Sequence, residues 1–263
     1  MSGEKEEASL VCSVNPIDWQ GAPNSSASRT FIKQAFGIDE WFEYIHPWQL
    51  LTDIDKAVDF NSCEQSFLYF YEFDHRDWRI IEELLYSFGF RSALRFTFEY
   101  VVRGAIVRIM PGSEHESVGG ELYDDIVRKI DAIPGHLRST VQVGGTRSKV
   151  QGFRGKEGDY GLRPRTRKAK GSWPSLMIEV GYSQTLELLG YDAEWWLLQS
   201  QGRTRFVILI KVGREPFSLR IECWQMRPSP LLGISEEWVP TCTQDFDINE
   251  AGEVTSPLGS KEL

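Results

Sequence analysis

Apolar residues recur at helical spacing in two segments near the N-terminus, "IDEWFEYIHPWQLLTDIDKAV" and "DHRDWRIIEELLYSFGF". In the second, Trp78, Ile81, Leu84, Leu85 and Phe88 fall on one helical face and Gly89 supplies a stop. The period then changes. "ALRFTFEYVV" alternates as a strand does, and "GAIVRIM", reached through Arg103-Gly104, is predicted to return as its hairpin partner. "PGSEHESVGGELYDDIVRKIDAI" reads as a long helix closed by Pro134-Gly135, followed by short strands in "RSTVQVGG", "RSKVQGFR", "GDYGLRPR" and "SWPSLMIEV". From Ser183, an expected N-cap, Leu186, Leu189, Ala193, Trp196 and Leu197 predict a helix that Gly202 ends. "TRFVILIKV" is nearly all apolar, as a strand buried on both faces would be, and "FSLRIECWQ" is expected to be the last strand.

These elements predict an α/β protein with a mixed central sheet flanked by helices. Residues 1–35 and 231–263 lack periodicity and read as a flexible N-terminal arm and an irregular C-terminal tail. A helical extension is expected over 36–92 and a core over 93–230. With 263 residues, 41% of them hydrophobic, the chain is long enough for one large domain. There is no internal repeat and no strong linker.

A formal charge of -9 argues against a protein that coats nucleic acid or anionic membrane with its whole surface, so any polyanion contact must be local. No apolar run is long enough to span a membrane, and the acidic start "MSGEKEEASL" is unlike a signal peptide; an intracellular, cytoplasmic or nuclear protein is expected. Cys12, Cys63, Cys223 and Cys242 form no CxxC pair, which leaves neither a zinc knuckle nor a disulfide framework. GxGxxG, P-loop, GxSxG and HExxH motifs are absent, which weakens cofactor-binding, serine-hydrolase and zincin readings.

The candidate chemistry lies between residues 159 and 179. Asp159 stands at the entry to one short strand and Glu179 near the end of the next. If the two strands pair, both carboxylates reach one point, where a hard divalent cation could be held. Asp159 as a turn residue and Glu179 as the polar end of a core strand is the competing reading of the same spacing.

The order of elements, the Asp followed by Glu, and "SWPSLMIEVGYSQTL" ahead of "YDAEWWL" resemble the PD-(D/E)XK, restriction-endonuclease-like superfamily, and within it the Uma-type family. "FTFEYVVRGAIVRIMPGSEHESVGGELYDDI" resembles that family's opening, so the likeness spans about residues 96 to 212. The "EVGYSQ...DAEWWL" form is most similar to fungal relatives. The resemblance implies a restriction-endonuclease-like core that binds Mg²⁺ or Mn²⁺ through Asp159 and Glu179, with a further acidic ligand, Glu121 ahead of Glu116, from the first core helix. It also implies a lysine two residues after the Glu, to orient the attacking water. That position is Gly181, the following helix offers Tyr191-Asp192-Ala193-Glu194 instead, and Lys149 or Lys156 remain as substitutes. Gly158 replaces the proline before the Asp.

"LRPRTRKAK" reverses the chain's acidic balance, placing Arg163, Arg165, Arg167, Lys168 and Lys170 between the two carboxylates, where they would attract a phosphate backbone. A solvated loop or a nuclear-import signal are the alternatives for this run. His115 is a candidate proton carrier or a helix cap, and Trp195-Trp196 is expected to give one ring to the core and one to a partner or groove. Two functions are therefore expected to compete. One is a metal-dependent nuclease or nuclease-derived nucleic-acid-binding protein. The other is a catalytically inactive fold serving as a protein-interaction module.

Overall fold

The computed structural model describes residues 38, 40–57, 66–90, 93–99, 103–109, 112–144, 148–150, 154–168, 172–182, 184–229 and 238–256. Their strands form two mixed sheets. In the first, β1 (Glu40–Glu43), β2 (Ser66–Tyr71), β4 (Gly104–Ile109), β3 (Leu94–Glu99), β7 (Arg154–Lys156) and β6 (Ser148–Val150) lie side by side in that order. Helices α1 (Pro47–Ala57) and α2 (Trp78–Ser87) bury Leu50, Leu51, Ile54, Trp78, Ile81 and Leu85 against this sheet, in one core with Phe70, Phe73, Phe96 and Phe98. Each such side chain removed from water contributes about 1.5–3 kcal/mol, which accounts for a sheet held by its aromatic face.

The second sheet runs β13 (Val254–Thr255), β12 (Trp238–Ile248), β11 (Phe217–Pro228), β10 (Phe206–Arg214), β9 (Leu176–Gly181), β8 (Tyr160–Pro164), β5 (Thr140–Gln142). Strands β9 and β10 are parallel, with Glu179 opposite Leu209, and α4 (Leu186–Gln199) is the crossover between them. Helix α3 (Gly112–Ala132) covers the opposite face. Alternate residues of β9 serve the two layers: Ile178 and Val180 share a core with Tyr123 of α3, whereas Met177 packs with Leu189, Ala193 and Trp196 of α4. This double burial explains why "LMIEV" and "FVILIKV" are so apolar.

Several expectations change. The mixed α/β class holds, but there are two mixed sheets where one central sheet was expected. The 36–92 segment is not simply a helical extension, because β1 pairs with β2 and β2 pairs with β4. Trp41 and Phe42 lie against Tyr69 and Phe70, ring centroids 4.6 and 5.3 Å apart, and this pairing across the chain overrides the local helical period. The 231–263 segment is not an irregular tail over 238–248, where β12 pairs antiparallel with β11, so "FSLRIECWQ" is not the last strand. Phe88 is exposed at the end of α2. Helix α4 begins later than expected, with the Thr185 side chain accepting from the Leu188 N–H, and ends at Gln199, with Gly202 following in a left-handed conformation (φ +77°). The expected cap Ser183, the arm 1–35, Cys12, Cys63, Lys170 and residues 257–263 lie outside the described residues. Among the described residues, no helix is long and apolar enough to cross a membrane.

Candidate functional site

The alternation of β9 that turns Ile178 and Val180 toward α3 turns Glu179 toward α4. Strand β8 pairs with β9 so that Tyr160 lies opposite Ile178, and this places Asp159 beside Glu179. The two carboxylates are thus brought together, with 2% and 0% of their residue surfaces exposed.

Every oxygen of the pair is engaged. Asp159 Oδ1 accepts from Arg108 Nη2 at 2.7 Å and lies 3.5 Å from Arg95 Nε; its Oδ2 accepts from the Val180 N–H at 2.9 Å. Glu179 Oε2 accepts from Arg108 Nη2 at 3.1 Å, while Oε1 accepts from Trp196 Nε1 at 2.6 Å and pairs with Lys156 Nζ at 3.3 Å. Asp192 of α4 completes the cluster: it pairs with Lys156, lies 4.0 Å from Arg108 Nη1 and accepts from Gln184 Nε2 at 3.2 Å.

The cluster holds three carboxylates and three cations. Arg95, Arg108 and Lys156 come from β3, β4 and β7 of the first sheet; Asp159, Glu179 and Asp192 come from the second sheet and its helix. Arg95 and Arg108 are direct cross-strand neighbours, an unfavourable pairing for like charges unless anions offset it, as these carboxylates do. The cluster therefore joins the sheets by charge. Burial alone would lower the Arg108 pKa, but Asp159, Glu179 and Asp192 together hold it above its ordinary value. Burial holds the Glu179 carboxyl above the usual carboxylate range, with Asp159 and Asp192 pushing the same way against Lys156 and Arg108.

Since the folded-state pKa of Glu179 exceeds its unfolded value, its contribution to stability is fully present below the unfolded pKa and is lost as pH rises through the folded one. Denaturant midpoints of the parent and of Glu179→Gln, taken between about pH 5 and pH 8, check this. The parent is expected to gain on the variant as pH falls; a gain on raising the pH would contradict the assignment.

The geometry also accounts for Gly181. A Cβ there would stand 2.9 Å from Cδ1 of the fully buried Leu189, so a lysine could enter only by displacing a core side chain of α4. Lys156, one of the expected substitutes, does reach Glu179. The side chains of Lys149, Glu116 and His115 lie outside the described residues.

Glu121 is not part of the cluster. It is exposed on α3, across the sheet from the face that carries Glu179, and Asp192 supplies the third carboxylate. Trp195 and Trp196 are both buried, 4.9 Å apart between centroids and 5.2 and 5.7 Å from Trp173, so neither ring is left for a partner. The basic segment does not stand between the carboxylates in space. Arg163 lies in β8, Arg165 and Lys168 are exposed, and Arg167 Nη1 donates to the Trp173 and Arg203 carbonyls at 3.0 and 3.1 Å.

Sequence reasoning missed Arg95, Arg108 and Asp192. The available signal was an arginine inside each of two strands, "LRFTFE" and "AIVRIM", where a buried charge requires partners.

As arranged, the carboxylate oxygens receive a guanidinium and an ammonium rather than a divalent cation, because Arg108 occupies the point that Asp159 and Glu179 share. Among the described residues, no group of three or more His, Cys, Asp or Glu is placed to hold a metal ion. In comparisons with family models, curated proteins and solved structures, nothing matches the chain.

Proposed function

We propose that this chain is a nuclease-derived nucleic-acid-binding protein whose former metal-binding carboxylates serve as an internal ion-pair joint. The observation that carries the reading is Arg108. It bridges Asp159 and Glu179 from the first sheet, so a cation of charge two would have to displace a buried guanidinium before meeting either carboxylate. The restriction-endonuclease-like resemblance and the requirement for Mg²⁺ or Mn²⁺ belong to the ancestral activity in this proposal. The basic residues supply the remaining function, attraction of a phosphate backbone.

The test incubates single- and double-stranded DNA and RNA with the parent in Mn²⁺, beside Asp159→Asn and Glu179→Gln variants whose folding is checked by circular dichroism. Binding without cleavage is expected. Cleavage by the parent that both folded variants lose would overturn the proposal.

One observation favours a second reading, the protein-interaction module. Trp48 and Phe88 are 56% and 55% exposed and meet edge to face on α1 and at the end of α2, with Ile45 and Tyr86 also exposed. Absence of nucleic-acid binding in the same assay would favour it.

A further inference from the structure

The basic segment is not alone at its end of the second sheet. The Arg165 N–H donates to the Ser139 carbonyl at 2.8 Å, which sets Arg165 beside Arg138 on the loop that leaves α3. Arg167 ties the segment to the carbonyl of Arg203, in the turn after α4. The Arg205 N–H donates to the Ser175 carbonyl at 2.8 Å, just ahead of β9. Three loops, distant in sequence, thus bring Arg138, Arg165, Lys168, Arg203 and Arg205 to one end of the sheet, beside Arg163 near the end of β8. All but the half-buried Arg163 are exposed.

None of these six side chains forms an ion pair among the described residues, whereas Arg95 on β3, Arg108 on β4 and Arg220 on β11 are each paired with carboxylates. The sequence explains the difference. Residues 133–144, 160–178 and 195–214 contain no Asp or Glu at all, in a chain whose net charge is -9. Asp131, just ahead of the first of these stretches, accepts from the Arg138 backbone N–H at 2.7 Å. Charge segregated this sharply raises a local positive potential that the rest of the surface would otherwise cancel.

We infer that Arg138, Arg203 and Arg205 join Arg163, Arg165 and Lys168 in a single face that binds the phosphates of single-stranded nucleic acid. The inference rests on the nucleic-acid reading above and adds the residues and the form of the ligand. Phe206, 46% exposed next to Arg205, offers a ring on which an unpaired base can stack, which a duplex does not present. The face lies apart from the ion-pair joint. Leu176 pairs with Phe206 at the near end of β9, and Glu179 stands three residues further along, about 10 Å away. Asp159 and Glu179 are also buried, so a strand lying on this face does not touch them.

Fluorescence anisotropy with a labelled oligo(dT) probe and the full chain, between about 50 and 200 mM salt, tests this. The parent is expected to bind. Arg203→Glu/Arg205→Glu and Arg138→Glu/Arg165→Glu are each expected to weaken binding at least about tenfold and to lower the salt slope by about 0.7 per lost phosphate contact. Phe206→Ala is expected to weaken binding without changing the slope. Reversal of a distant exposed charge, Arg79→Glu, should leave affinity unchanged. If the parent binds and Arg203→Glu/Arg205→Glu binds equally well, the inference fails while the nucleic-acid reading stands. No binding by the parent overturns both. Competition by polyglutamate as effective as by unlabelled oligo(dT) also overturns the inference, since the face would then select acidic chains in general.

Discussion

Arg108→Ala is expected to lower folding stability by about 3–5 kcal/mol, a large part of the margin an ordinary domain possesses. The guanidinium is buried and bonds to Asp159 and Glu179, with Asp192 behind them. Its removal leaves carboxylates that cannot reach water, with Lys156 and Arg95 as the remaining cations. Arg108→Lys should recover part of the loss, because an ammonium carries the charge but not the planar fork that lets one side chain span several acceptors. Urea midpoints of the three proteins measure the effect. A loss below about 1 kcal/mol for the alanine variant would show that the pair is solvated and contributes as a surface salt bridge does.

Trp196→Ala is expected to cost about 3–5 kcal/mol from the cavity alone. Trp196 is fully buried, it contacts Trp173 and Trp195, and its indole N–H donates to Glu179 Oε1 at 2.6 Å. Trp196→Phe separates the two contributions: the ring fills most of the space, and the lost bond to a carboxylate accounts for about 1.5–3 kcal/mol. Because Trp196 and Arg108 both act on Glu179, the double variant should lose less than the sum of the single ones. Strict additivity would mean that the two donors serve independent sites.

How much of this was legible follows from which interactions are local. The α3 and α4 helices and the β3–β4 hairpin were readable because their apolar periods are long and their turns carry glycine at or beside the break, as in Arg103-Gly104. Strands β1 and β12 were not. The pairing that makes them strands comes from β2 and β11, ten or more residues away, and the buried charge in β12, Asp245, is held by Arg220 across the strands. The site was half legible. The spacing of Asp159 and Glu179 brought two carboxylates to one point, as their strand pairing requires. What sits between them was not readable, because Arg108 reaches them from another sheet, 51 and 71 residues away in sequence. Glu121 was misplaced for a related reason: a helix carboxylate of the right type says nothing about which side of the sheet its helix covers.

The same contrast bears on Gly181. Read along the chain, it is a missing lysine. In the fold it is the point where β9 and Leu189 of α4 meet too closely for a side chain, and the cation near Glu179 arrives from β7 as Lys156. The lysine's absence and the arginine's presence thus belong to one packing arrangement, in which the charge at the carboxylates is balanced from within the protein.

Calorimetric titration of the folded parent with Mn²⁺ tests that balance most directly. A cluster neutralised by Arg95, Arg108 and Lys156 predicts no binding heat that depends on Asp159 or Glu179, so the parent, Asp159→Asn and Glu179→Gln should give the same trace. Stoichiometric Mn²⁺ binding by the parent, lost in both variants while they remain folded, would contradict the account.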